Sequence, residues 1–93
     1  MLILKLTLRF RAPWCRSLKD RRSEVKRIVS RLRAQFNISA VESGPQDIHT
    51  LFDVTVAALA FDTAQADSIR QSVTDFVLGL TEAELYEDET DLL

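Results

Sequence analysis

The strongest chemistry in this 93-residue chain is carried by a run of cations. Arg16, Lys19, Arg21, Arg22, Lys26, Arg27, Arg31 and Arg33 lie in one short stretch, interrupted by only two acids, Asp20 and Glu24. On a helix, at about 100° per residue, Lys19, Arg22, Lys26 and Arg33 fall within about 60° of one another. Such a row presents guanidinium and ammonium groups at a spacing that suits phosphates. It would serve equally as a solvated helix face whose long stems cover the rim of a core.

Other chemistry is thin. Cys15 and His49 are the single members of their type, and a transition-metal site needs such residues clustered. As a nucleophile pair they are separated by a helix and a strand, so packing roles are expected for both. Cys15, near a helix start and beside Arg16, has some of the surroundings of a reactive thiol. A small packed side chain beside Trp14 accounts for it more simply. Two glycines, Gly44 and Gly79, exclude a Gly-rich phosphate loop. The acidic C-terminal segment lacks the spacing of a calcium loop. The expectation is a non-enzymatic protein with no catalytic residues, no cofactor, no metal and no small-molecule ligand.

A helix must exist to present the cations, and the pattern supplies one. Ser17 with Asp20 is a capping pair, and Leu18, Val25, Ile28, Val29, Leu32 and Phe36 follow at helical spacing. The helix is expected over 18–35, with Asn37 as its stop. Before it, Leu2, Leu4, Leu6, Leu8 and Phe10 alternate with mostly polar residues, the mark of a half-buried strand that Pro13 ends. A short strand over 38–43 leads into the turn Gly44-Pro45-Gln46-Asp47. A long strand is expected over 48–61, with Phe52, Val54, Val56, Ala58 and Ala60 on one face. Asp62 with Gln65 caps a second helix, whose stripe is Ala66, Ile69, Val73, Phe76 and Val77, and Gly79 stands at a C-cap position. A last strand over 80–88 should turn Ala83 and Leu85 inward, followed by a frayed acidic tail from about Glu87.

The order is βαββαβ, in one domain spanning 1–93. Two helices, each with one apolar stripe, must cover one face of a four-stranded antiparallel sheet. Right-handed crossovers make this a ferredoxin-like α+β fold with strand order 4-1-3-2. The other face stays open. Lys5, Thr7 and Arg9 should meet Asp53, Thr55 and Ala57 on one side, and Glu82, Glu84 and Tyr86 on the other. Those central positions hold no aromatics, which excludes base stacking in the manner of RNA-recognition motifs.

Charge is divided unevenly along the chain. The net charge is −2, yet residues 1–45 carry +8 and residues 46–93 carry −10. That asymmetry suits nucleic-acid contact or self-association. The longest apolar run, Val56 to Phe61, is far short of the ~20 residues of a membrane span. The first ten residues alternate and carry Lys5 and Arg9, unlike a signal peptide, so a cytoplasmic location is expected.

The run Ser17-Leu18-Lys19-Asp20-Arg21-Arg22-Ser23-Glu24-Val25-Lys26 resembles the signature of the YlxP-like family, a bacterial domain of unknown function. The resemblance continues through Arg31-Leu32-Arg33, Phe36-Asn37-Ile38-Ser39, Glu42 and Gln46-Asp47. It departs from the pattern at Pro45, His49 and Leu51. The resemblance implies a ferredoxin-like fold, and gene neighbours among transcription and translation factors, hence work with RNA or the ribosome. It supplies no catalytic residues. Two functions are therefore expected in competition. One is contact with RNA or a ribonucleoprotein through Lys19, Arg22, Lys26 and Arg33. The other is a homo-oligomeric interaction module, with the short second strand as a pairing edge for a homodimer.

Overall fold

A computed structural model describes all residues, Met1–Leu93. Six elements follow in the order β1 (Leu2–Arg11), α1 (Leu18–Gln35), β2 (Ser39–Ser43), β3 (Leu51–Ala60), α2 (Thr63–Leu80) and β4 (Glu84–Leu92). The antiparallel sheet runs β2-β3-β1-β4, the expected ferredoxin-like order read from its other end. Both helices lie on one face.

Alternation decides which side chains the helices cover. Leu4, Leu6, Leu8 and Phe10 of β1 are fully buried, as are Phe52, Val54 and Val56 of β3. The two strands pair Leu6 with Val56, Leu8 with Val54 and Phe10 with Phe52, and the last pair stacks at 5.1 Å between ring centroids. Val25, Ile28 and Leu32 of α1 and Val73 and Val77 of α2 close this layer from above. Phe36 and Phe76 meet edge to face at the lower end of the helix pair.

Both helix starts use their capping residues. The Ser17 hydroxyl accepts from the Asp20 amide, and the Asp20 carboxylate reaches back to the Arg16 amide. Asp62 accepts from the Gln65 amide, while the Gln65 side chain accepts from Phe61 N–H. In each case the return bond reaches one residue beyond the cap, a variant of the usual box.

The helix ends differ from expectation. Neither Asn37 nor Gly79 adopts a left-handed conformation. The chain instead leaves α1 through extended Phe36 and α2 through extended Thr81, each with its N–H still bonded to the last turn. Gly79 is simply helical. Thr81 makes a left-handed cap unnecessary, because its hydroxyl donates to Glu24 and accepts from Ala83 N–H.

Strand β4 starts later and runs further than its apolar residues suggested. The segment expected to fray, Glu87 to Asp91, is ladder strand paired with β1, and Leu93 exchanges two backbone hydrogen bonds with Ile3. Its side chains are solvated, as expected, but β1 offers ten residues to pair with and the acids face cations across the ladder. A register shift between Arg9 and Phe10 slides the pairing. Arg9 therefore meets Glu87 and Glu89, at 2.9 and 3.1 Å, in place of Glu82 and Glu84. Glu84 pairs with Arg11, whose guanidinium also lies over the Tyr86 ring.

Candidate nucleic-acid interface

The cations of α1 divide into three groups by what they touch. Arg21 sits at about 200° on the wheel that places Lys19 at zero, inside the buried stripe. It is 1% exposed. Its Nε donates to the Leu51 carbonyl at 2.7 Å, Nη2 to the Pro45 carbonyl at 2.6 Å, and Nη1 to the Glu42 carboxylate at 2.5 Å. All three partners bracket the connection between β2 and β3. Arg21 is therefore a structural clamp on that loop; β3 starts at Leu51 and not at Ile48 because a turn precedes it, with the Leu51 N–H bonded to the Ile48 carbonyl. Two of its partners are main-chain carbonyls, so the departures from the family signature at Pro45 and Leu51 leave the clamp intact.

Arg27 belongs to the opposite flank. It forks onto the buried Glu24 carboxylate and also donates to the Leu80 carbonyl at the end of α2. Glu24 in turn accepts from Thr81, which ties α1 to the entry of β4.

Lys19, Arg22, Lys26 and Arg33 form the third group, and all four are exposed. Arg33 donates from Nε and Nη2 to the Ala40 carbonyl at 3.0 and 2.6 Å. This places the row on the flank above β2, turned away from α2. It also makes Arg33 partly a cap for the edge strand. Lys19, Arg22 and Lys26 make no ion pair and no side-chain hydrogen bond, so their charges are uncompensated. Arg31 is likewise exposed and unpaired.

The acids lie elsewhere. Glu84, Glu87, Asp88, Glu89 and Asp91 all belong to β4, at the sheet edge opposite β2. The molecule thus carries a cationic border along the outer flank of α1, on the side of the sheet where β2 lies, and an anionic border along β4, with the width of the sheet between them. The earlier asymmetry of charge along the chain becomes an asymmetry across the fold.

The open sheet face is polar at its centre and apolar at one end. Thr7, Thr55 and Ser43 form a hydroxyl chain, at 3.0 and 2.6 Å. Beside it Asp53 is buried, 3.5 Å from Arg9 Nε. Burial pushes the Asp53 pKa up, against the pull of Arg9 and Arg21. Gly44, at φ 80°, lies over this carboxylate, and a Cβ there would stand 2.3 Å from Asp53 Oδ2. No aromatic ring occupies the central strands' open positions, so the face offers no stacking platform of the RNA-recognition type.

Cys15 is buried, and burial, followed by Asp20 and Glu24, pushes its thiol pKa up. His49 is exposed in the loop before β3. The two are not brought together as a nucleophile and its base.

The family described as "Protein of unknown function (DUF503)" matches residues 3–90, nearly the whole chain. The chain belongs to this family. It is also 34% identical over 68 residues to "Uncharacterized protein YlxP" of Bacillus subtilis (strain 168), covering 73% of this chain and 74% of that protein. The resemblance drawn from the α1 signature is thereby shown. Within the DUF503 signature the structure separates two kinds of residue. Arg21 and Glu24 hold the fold, whereas Lys19, Arg22 and Lys26 are free. The sequence places Arg21 in the run of cations and outside the row of Lys19, Arg22, Lys26 and Arg33, without assigning it a burial; its position inside the apolar stripe was the available signal.

Proposed function

We propose that this DUF503 chain is a small non-enzymatic binding protein that contacts RNA or a ribonucleoprotein through the outer flank of α1. Lys19, Arg22 and Lys26 meet phosphates, and Arg33 extends the row at its far end while holding β2. The observation that carries this reading is the uncompensated charge of Lys19, Arg22 and Lys26, with the acids of β4 at the opposite sheet edge. A polyanion approaching α1 meets this cationic flank first; Asp20, beside Lys19, is the exposed carboxylate of the helix, and the acidic β4 lies at the far edge. Phosphate contacts of this kind supply affinity and little sequence preference.

The test is a charge reversal of Arg22→Glu with Lys26→Glu. Neither residue is in the core, so the fold should survive. Binding of a structured RNA at low salt, followed by electrophoretic mobility, should be severely weakened. Retained binding by the double variant contradicts the reading.

A second reading is a homo-oligomeric module without nucleic-acid binding. One observation favours it: Ile3, Leu59, Phe61 and Leu93 are exposed together at one end of the open sheet face. An exposed apolar patch of this sort suits a second copy. The β2 edge suits it less, because Arg33 already occupies the Ala40 carbonyl. A light-scattering mass of twice 10.6 kDa, together with no RNA binding, would favour this second reading.

A further inference from the structure

We propose that the cleft beside Trp14 receives an unpaired nucleobase. The proposal rests on the reading of α1 as an RNA-contacting surface and says what else that surface recognises. Trp14, the single tryptophan, lies in the connection between β1 and α1 and is 45% exposed. A large indole held half in water on so small a domain has no stacking partner within the chain. It forms one wall of an open cleft of about 330 Å³, lined also by Glu24, Arg27, Leu80 and Glu82.

The polar groups of the cleft are already arranged. Arg27 spends Nε and Nη2 on Glu24 and the Leu80 carbonyl, and its Nη1 has no hydrogen-bond partner. Glu24 is fixed in addition by Thr81. Glu82 is exposed and makes no ion pair. The cleft therefore combines a flat aromatic wall, an apolar contact at Leu80, one free N–H donor and one free carboxylate acceptor. That set matches a nucleobase, whose face stacks on an indole and whose edge carries both an acceptor and an amino or imino donor. It does not match a phosphate, because Glu24, Glu82 and, at the neighbouring rim, Asp20 are acidic.

The two surfaces are within reach of one strand. Arg27 and Lys19 are separated by about 80° around α1 and about 12 Å along its axis, roughly 14 Å in all on a helix 10–12 Å wide, and Lys26 is the residue next to Arg27. Phosphates on Lys19, Arg22 and Lys26 and a base against Trp14 then belong to the same bound strand. The base must be unpaired, since a base inside a duplex has both faces stacked.

Trp14 emission reads the contact directly. A single-stranded RNA of mixed sequence should quench it on binding, and a duplex of equal length should bind through α1 with little change in emission. Trp14→Ala should weaken single-strand binding at least about fivefold, the low end for one stacked base, and leave duplex binding unchanged. If the single strand binds without altering the emission, or Trp14→Ala binds it as the wild type does, the base site is wrong and the α1 reading stands. Quenching by a proline-rich peptide and not by RNA would also overturn the base site. If neither RNA binds, both proposals fall together.

Discussion

At the scale of single residues, the same chemical type does opposite jobs one position apart. Arg21 and Arg22 are adjacent, yet one is buried beneath three acceptors and the other carries a bare charge into solvent. The difference is 100° of helix rotation. Arg21→Met keeps the aliphatic stem and removes the donors, leaving Glu42 and two carbonyls without their partner. Breaking a buried pair costs about 3–5 kcal/mol, and the partial exposure of Glu42 places this loss near 3 kcal/mol. Urea unfolding of the variant should show it, whereas Arg22→Met should be nearly neutral. The helix itself was legible from caps and periodicity to its terminal residues. The clamp was not, because nothing local says that a cation within an apolar stripe will find a carboxylate 21 residues away.

Asp53 makes a second residue-scale case. Burial raises its pKa, so the native state holds this proton more tightly than the unfolded chain does. Its contribution to stability is fully present below the ordinary carboxylate range near ~4 and is lost as pH rises through the higher native value. Wild type should therefore lose stability relative to Asp53→Asn as pH increases above about 4, measured by thermal unfolding across that range. Wild type gaining stability relative to Asp53→Asn as pH rises contradicts this account.

Among the elements, the β2–β3 connection and β4 show where local pattern stops deciding structure. The connection is held from beneath by Arg21 and from the open face by the contact of Gly44 with Asp53. Gly44→Ala meets both a left-handed backbone angle and a carboxylate oxygen at 2.3 Å, so it should destabilise by more than the ~1 kcal/mol of an ordinary left-handed site. Adding Asp53→Ala should recover part of the loss in melting temperature; no recovery would show that the steric contact is unimportant. For β4, a run of acids with few apolar residues reads as a tail by composition. It is a strand because β1 has ten residues and an unpaired edge, and because Arg9 and Arg11 answer the acids across the ladder. Tertiary pairing overrode local propensity there. The shift at Tyr86 also changed which acids meet Arg9, a displacement of register that alternation alone does not reveal.

For the whole molecule, the ferredoxin-like order converts a split in sequence into a split in space. The strand order was legible because two amphipathic helices and four strands admit few right-handed arrangements. The cationic border was legible in part: Lys19, Arg22 and Lys26 are free, while Arg33 is also bonded to β2. No helix is long and apolar enough to cross a membrane.

The central claim is that the free cations of α1 hold phosphates, and the salt dependence of RNA affinity measures it most directly. Each phosphate contact releases counterions, with a log–log slope of about −0.7 to −0.9 per contact. Three contacts predict a wild-type slope of about −2 to −3, and Arg22→Glu with Lys26→Glu should flatten it by about 1.4–1.8 units while weakening binding at every salt concentration. A wild-type affinity indifferent to salt, or a double variant with the wild-type slope, would contradict the account and leave the row as a solvated helix face.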